Sequence, residues 1–272
     1  MDARLQRRVQ RYGWDKAAGH YEPLWRAQLE PAQRLLLDMA ALQPGERVID
    51  IACGTGLVTL PAAAAVGATG EVLGTDISDE MVRTAADSAA AAGHARARFA
   101  RMDAESLDVP AASFDTALCA LGLMYVPDPI LALSEMRRVL RPGGRVVVAV
   151  WGARTNCGWA EIFPIVDSRV SSEVCPLFFQ LGTGNALSYA MGAAGLADID
   201  VQRISTVLEY ASEADAIGAA FAGGPVALAY SRFDDETRDE AHAEYIASIA
   251  AFRKGNGYRI PGEFVVARAT AA

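Results

Sequence analysis

The stretch Val48-Ile49-Asp50-Ile51-Ala52-Cys53-Gly54-Thr55-Gly56 places an apolar run, a carboxylate inside it and a glycine turn side by side. The run reads as a buried strand entering a turn, with a helix-forming segment behind it. Such a strand–turn–helix lets a ligand approach the backbone and meet the N–H groups that open the helix. Asp50 decides the kind of ligand. A carboxylate entering the turn repels a pyrophosphate and attracts an ammonium or another cation. Thr59 also stands where a dinucleotide fingerprint would place its third glycine. Together they point to a ligand with a positively charged end.

Two further acids sit at equivalent places. Asp76 closes the apolar run ending Gly74-Thr75-Asp76, and Asp103-Ala104 follows the next one. Each lies one strand–helix unit after the last, so Asp50, Asp76 and Asp103 can line one edge of a parallel sheet. An acid ending the second strand can accept from two ribose hydroxyls. An acid ending the third can accept from an exocyclic adenine amine. The competing readings are a helix cap for Asp76 and a turn aspartate for Asp103. Met81 can lay a thioether on a flat ring, or fill core.

The elements that must position these acids alternate. Strands are predicted at 47–52, 71–76, 96–102, 114–120 and 145–151, with helices at about 57–66, 79–92 and 129–140. Ser78 caps the second helix, Asp79 and Glu80 suit its positive first turn, and Gly93 ends it. Asp128 is an N-cap with Pro129 at the first helical position. Pro61 is expected to kink the first helix. Arg141-Pro142-Gly143-Gly144 reads as a stop and turn. The expected fold class is α/β, a doubly wound and mostly parallel sheet, with ligands at the carboxyl ends of the strands. Residues 1–43 read as helical before the Pro44-Gly45 break. Arg4, Arg7, Arg8 and Arg11 share one face, expected to be solvated, with a patch for anions or headgroups as the alternative. Leu5, Val9 and Tyr12 share another face. After Trp151 the pattern loosens: a helix at 186–196, a strand at 198–209, helices over 212–253 and a last strand at 263–269, the final strands pairing antiparallel at the sheet edge.

The totals set bounds. With 272 residues, 52% hydrophobic and 21% charged, the chain has the composition of a globular protein. A net charge of −8 argues against a broad nucleic-acid surface. Cys53, Cys119, Cys157 and Cys175 are scattered without a paired motif, and with three histidines no metal site is expected. Without an apolar leader or membrane span, the expected location is cytoplasmic, with no stable membrane insertion.

These residues resemble a known family. Asp50 through Gly56, Gly74-Thr75-Asp76-Ile77-Ser78, and Phe114-Asp115 through Arg138-Val139-Leu140-Arg141-Pro142-Gly143-Gly144 are similar to class I S-adenosylmethionine-dependent methyltransferases. The branch they resemble includes the ubiquinone/menaquinone-biosynthesis C-methyltransferases and many small-molecule enzymes. The resemblance covers about residues 45–151. It implies a seven-stranded sheet with its last strand antiparallel, and S-adenosyl-L-methionine as cofactor, leaving S-adenosyl-L-homocysteine. Asp50, Ala52, Cys53, Gly54 and Gly56 would hold the methionine end. Asp76 and Ile77 would hold the ribose, Met81, Asp103 and Ala104 the adenine, and Ala120 and Leu121 would pass under the sulfonium. Trp14 through Tyr21 is similar to the family's aromatic–Ala–Tyr segment, which makes Tyr21 and Trp14 lid contacts, with Tyr12 beside them. The implied organisation is a helical lid at 1–43, a cofactor-binding core at 44–151, and remaining strands with cap insertions at 152–272.

Two departures bear on the acceptor. Leu121-Gly122-Leu123-Met124-Tyr125-Val126-Pro127 lacks the Arg-Asn pair of the quinone enzymes and the Asn/Asp-Pro-Pro-Tyr/Phe motif of amide- and base-directed enzymes. A small apolar or aromatic acceptor is therefore expected, walled by Met124, Tyr125, Trp151, Phe178 and Phe179, with Phe221, Tyr230 and Phe233 as further candidates or as cap core. His20 is the candidate base if the acceptor must lose a proton, or else a surface histidine. The competing functions are a nicotinamide-dependent oxidoreductase and a non-catalytic cofactor- or partner-binding module.

Overall fold

The computed structural model describes residues 2–170, 175 and 177–271. Chain order runs α1 (Ala3–Ala40), β1 (Arg47–Ile51), α2 (Thr59–Val66), β2 (Glu71–Asp76), α3 (Asp79–Ala91), β3 (Ala97–Arg101), β4 (Phe114–Ala120), α4 (Pro129–Val139) and β5 (Leu140–Trp151). It continues α5 (Ile162–Asp167), α6 (Ala186–Ala193), β6 (Leu196–Tyr210), α7 (Glu213–Ile217), α8 (Ala227–Tyr230), α9 (Asp235–Ser248), β7 (Arg253–Lys254) and β8 (Gly257–Ala271).

Seven strands form one continuous path, β3-β2-β1-β4-β5-β8-β6, and the two-residue β7 pairs with β8 beside it. β3, β2, β1, β4 and β5 are parallel; β8 runs antiparallel between β5 and β6. The expected α/β class and the antiparallel last strand are therefore both present. β1 and β4 are neighbours although β2 and β3 lie between them in sequence. The chain turns back at that boundary, and in open sheets of this kind the crevice for a ligand opens there. Val48, Ile49 and Ile51 are buried, as expected of a central parallel strand covered on both sides.

Local signals hold where capping chemistry is explicit. The Ser78 hydroxyl accepts from the Met81 N–H at 3.1 Å, and Asp128 accepts from the Leu131 N–H at 2.9 Å. Gly93, at φ 74°, closes α3: its N–H reaches Ala90 O, and the His94 N–H reaches Ala89 O.

Four expectations are corrected. Pro61 sits in the first turn of α2, which starts only at Thr59, so it removes no intrahelical hydrogen bond and gives no cause for a kink. Arg141-Pro142-Gly143-Gly144 is not a turn ahead of the strand. β5 already begins at Leu140, paired with Phe114, and absorbs the four residues as a bulge before Arg145 meets Thr116. In the first half of α1 the buried positions are Gln6, Gln10, Gly13, Ala17 and Ala18, while Leu5 and Tyr12 are exposed. That half lies over loops and polar strand ends, so its docking face is polar and small, whereas Trp25, Leu29, Ala32, Leu36 and Met39 of the second half join the hydrophobic core. The basic face of α1 is not simply solvated either: Arg7 reaches Asp103 (2.9 Å) and Glu105 (2.7 Å), and Arg11 reaches Asp79 (2.5 Å).

α1 is the element that closes the site. Asp2 caps it through the Arg4 N–H at 2.7 Å, and it runs 38 residues despite Pro23 and Pro31. Its first half packs on α3, and the helix also meets β4, β5, β6, β8 and α8. No helix among the described residues is long and apolar enough to cross a membrane.

Candidate active site

The ends of β1, β2 and β4 and the segment after β3 line an open cavity whose empty space, its solvent-filled mouth included, is about 710 Å³. Asp76 anchors its floor. One of its carboxylate oxygens accepts from the Gly54 N–H and the other from the Ser78 N–H, both at 2.9 Å. It thus ties the glycine turn after β1 to the start of α3. Each oxygen keeps a further lone pair for a ligand hydroxyl. Burial raises the Asp76 carboxyl to about 6 against those backbone bonds.

Gly54 has φ +55°, and the Tyr21 ring lies 3.9 Å from where its Cβ would be. Ala52 (φ 56°) and Leu121 (φ 64°) sit in the left-handed region just past the ends of β1 and β4. Non-glycine residues there carry backbone strain, which clusters at ligand sites. They turn the chain sharply where the loops after β1 and β4 begin. Gly122 is obligatory here, since a Cβ would fall 2.2 Å from that of Ala52.

Of the residues expected to touch the cofactor, Trp14, Tyr21, Ala52, Gly54, Asp76 and Ile77 line this cavity. Met81, Asp103, Ala104, Ala120 and Leu121 line it too. The others are elsewhere. Gly56, at φ +90°, has its missing Cβ 3.4 Å from Ala85 Cβ, so it lets α3 pack close. Cys53 is buried behind the turn, and burial, with Asp76 next in weight, pushes its thiol up. Tyr12 is exposed beside Arg11.

Asp50 lies behind the lining rather than on it. It is 1% exposed; one oxygen accepts from the Thr59 hydroxyl at 2.6 Å, and Oδ1 has no partner among the described residues. The neighbouring Thr55 hydroxyl is also buried and has no partner among the described residues. Burial pushes the Asp50 carboxyl up to about 7, the Thr59 bond opposes this, and Asp76 adds to it. Thr59, read in sequence as a missing glycine, is the residue that orients this acid.

His20 is corrected: it is exposed on α1 and is not among the residues lining the cavity, because the adjacent position, Tyr21, takes the inward side of the helix.

Several lining residues carried no recognised signal. Arg7 reaches Asp103 at the cavity wall, which Gln10 and Met102 join. Asp15 does not line the cavity but accepts from the Ser78 hydroxyl at 2.6 Å and the Glu80 N–H at 3.3 Å, pinning α1 to α3. The run of arginines on α1 was the visible trace of this docking.

A second chamber of about 320 Å³ adjoins the first. Trp14, Tyr21, Leu121 and Tyr125 line both, so they form the partition. Trp151 and Phe178 line the chamber as expected. Trp25, Trp159 and Gly223-Gly224-Pro225 join them without having been foreseen, since segments far apart in sequence meet there. The rings pack edge-on or tilted: Trp151–Trp159 at 4.8 Å, Tyr125–Phe178 at 5.5 Å, Trp25–Trp151 at 6.1 Å between centroids. Phe179 stacks behind Phe178 and lines a separate outer recess. Met124 is corrected to core, 2% exposed and absent from both linings. Phe221 and Tyr230 form a cap cluster with His242 and Tyr245, and Phe233 packs on Tyr230.

A methyltransferase-domain family matches residues 48–144. The ubiquinone/menaquinone biosynthesis C-methyltransferase of Teredinibacter turnerae is 32% identical over 216 residues, 79% of this chain and 82% of that one. Its counterpart from Ectopseudomonas mendocina is 36% identical over 64% of each chain, so here the chain spans just under two thirds of its relative. Among solved structures, phosphoethanolamine N-methyltransferase 2 of Haemonchus contortus, in complex with S-adenosyl-L-methionine, matches with a TM-score of 0.62. That match covers 95% of this chain and 57% of the other at 17% identity, a likeness of fold.

Proposed function

The chain belongs to the class I S-adenosylmethionine-dependent methyltransferases, in the branch of the ubiquinone/menaquinone-biosynthesis C-methyltransferases, and we propose that its acceptor is a small, largely apolar or aromatic molecule held in the second chamber. It is an enzyme that transfers a methyl group from S-adenosyl-L-methionine. The nicotinamide alternative gains no support from these relatives.

The residues fit the cofactor. Asp50 Oδ1 and the Thr55 hydroxyl are buried polar atoms beside the glycine turn without a partner among the described residues, as a site for a polar, cationic end requires. Asp76 has spare lone pairs for ribose hydroxyls. Ile77, Met81, Met102 and Ala104 give apolar walls to the end of the cavity that holds Asp103. When bound, S-adenosyl-L-methionine supplies an electrophilic methyl group on a sulfonium.

One observation carries the acceptor reading: the aromatic chamber shares its partition with the cofactor cavity, so a guest in one meets a guest in the other at Trp14, Tyr21, Leu121 and Tyr125. The rings exclude water and hold the nucleophile in line, and positioning of this kind removes roughly 7–11 kcal/mol of a barrier. No His, Asp, Glu or Lys is among the chamber's described lining residues. Burial, with Asp76 adding for Tyr21, pushes the Tyr21 and Tyr125 phenols up, so they stay protonated and donate rather than accept protons. The acceptor therefore enters as a competent nucleophile, and His20 is not needed as a base.

The test is transfer of a labelled methyl group across a panel of small aromatic acceptors, alongside protein and nucleic-acid substrates. Label in a small acceptor is expected. Label confined to macromolecules would overturn the reading.

A further inference from the structure

We propose that Trp159 selects the acceptor, its indole N–H donating to an oxygen carried by a flat aromatic guest in the second chamber. This rests on the acceptor reading above and adds to it the residue that reads an oxygen on the guest.

Trp159 lines the chamber and is 4% exposed. Its Nε1–H is buried with no hydrogen-bond partner among the described residues. Its neighbours explain why. Trp151, Phe178, Phe179, Trp25 and Phe163 surround the ring at centroid distances of 4.8 to 5.9 Å, and these are ring faces and edges. Trp25 faces the same chamber but its Nε1–H donates to Ala219 O at 3.2 Å. Of the four indoles that line the chamber, Trp25 is satisfied by the fold, and Trp159 carries a buried N–H without a partner among the described residues.

Buried donors are normally paired, and an unpaired one calls for a specific explanation. Packing alone does not explain Trp159, because phenylalanine gives an aromatic wall without a polar atom. A guest with an acceptor oxygen does. Such a site rejects analogues lacking the oxygen more strongly than an apolar pocket rejects a missing methylene.

The N–H also sorts between two guests that an aromatic box admits. Aromatic faces attract ammonium groups. An N–H with no partner presents the positive end of its dipole and opposes a cation, so the Trp159 N–H favours oxygen over ammonium. The rest of the lining agrees, since the protonated Tyr21 and Tyr125 hydroxyls are also able to donate.

The experiment uses the full chain saturated with S-adenosylhomocysteine and three probes: 2-naphthol, 2-methylnaphthalene and phenyltrimethylammonium. Wild type is expected to bind 2-naphthol at least tenfold more tightly than 2-methylnaphthalene. In Trp159→Phe that preference should fall to within about twofold, with S-adenosylhomocysteine affinity unchanged. An unchanged preference in the variant, or tightest binding of phenyltrimethylammonium, overturns the proposal. If the variant does not fold, the wild-type indole N–H resonances decide. The Trp159 signal, identified as the one that persists in Trp14→Phe, Trp25→Phe and Trp151→Phe, should move downfield with 2-naphthol and not with 2-methylnaphthalene. A Trp159 signal that responds equally to both overturns it. Binding needs no turnover, so these results stand apart from the labelled-methyl experiment. Methyl transfer to small acceptors with no oxygen preference would sink this inference alone.

Discussion

Replacing Asp50 with asparagine should make the protein more stable as pH rises relative to wild type. In an unfolded chain this carboxyl loses its proton at about 4. In the fold, burial holds it to about 7, against the Thr59 bond and helped by Asp76. Between those values the folded state binds more protons than the unfolded one, so stability falls as pH rises. The loss begins above the unfolded value, accumulates at about 1.4 kcal/mol per pH unit, and is complete above the folded value. Over roughly three units it is on the order of 4 kcal/mol. The amide that replaces the carboxyl does not titrate. Urea unfolding of Asp50→Asn and wild type at pH 5, 6, 7 and 8 should therefore show a gap that shifts in favour of the variant up to about pH 7 and then levels. The slope carries the argument, because the amide's own unmatched N–H adds a pH-independent penalty of about 1–3 kcal/mol. A gap that is flat, or that shifts the other way, would refute the assignment of a buried, neutral-leaning Asp50. Cofactor binding should show the mirror image. S-adenosylhomocysteine should bind the variant about ten- to a hundredfold more weakly at pH 8, where a charged acid is lost. The difference should shrink below pH 7, as the wild-type acid takes up its proton.

Gly122→Ala should destabilise by about 1–3 kcal/mol, and by more if the strand ends cannot part, since its Cβ would lie 2.2 Å from Ala52 Cβ; thermal melts and cofactor titration report both effects. Asp15→Ala should cost about 1–2 kcal/mol and speed hydrogen exchange in the first half of α1, because it removes the bonds to Ser78 and Glu80. Exchange confined to other elements would count against that pin. His20→Ala should leave kcat within about twofold, as befits an exposed side chain, and a loss of a hundredfold would restore His20 as a base.

What could be read from sequence was chemistry that acts over a few residues. Ser78, Asp128-Pro129 and Gly93 mark helix ends through bonds made within three or four positions, and they fall where expected. The three acids were legible because strand–helix units repeat, which brings Asp76 and Asp103 to one cavity and Asp50 just behind it. The docking face of the first half of α1 was not legible. Gln6, Gln10, Gly13 and Ala17 break the apolar periodicity that marks a core-facing helix, since their partners are loops: Gln6 donates to Tyr125 O at 3.2 Å. The chamber was only half legible for the same reason. Trp25, Trp159 and Gly223-Gly224-Pro225 come from three separate segments, and no local spacing relates them.

The placement of strain ties the fold to the chemistry. β1 and β4 are adjacent, and the connections leaving them diverge, which opens the crevice. Ala52 and Leu121 stand one on each side of it, both left-handed, although neither is glycine. Left-handed φ carries a free-energy penalty at such residues, which persists only where surrounding structure holds it. Here the holding is visible: the Cys53 N–H reaches Thr75 O across to β2, the Leu121 N–H reaches Ala149 O across to β5, and Gly122 lets the two bends touch. The bends therefore brace each other. Ala52 then faces the cofactor cavity alone, whereas Leu121 lines both cavities. The strained residue of β4 is thus part of the partition where, on the proposed reading, donor and acceptor meet in line. Rigidity at that point is what transfer by positioning demands, since a misplacement of about 1 Å forfeits on the order of a hundredfold in rate.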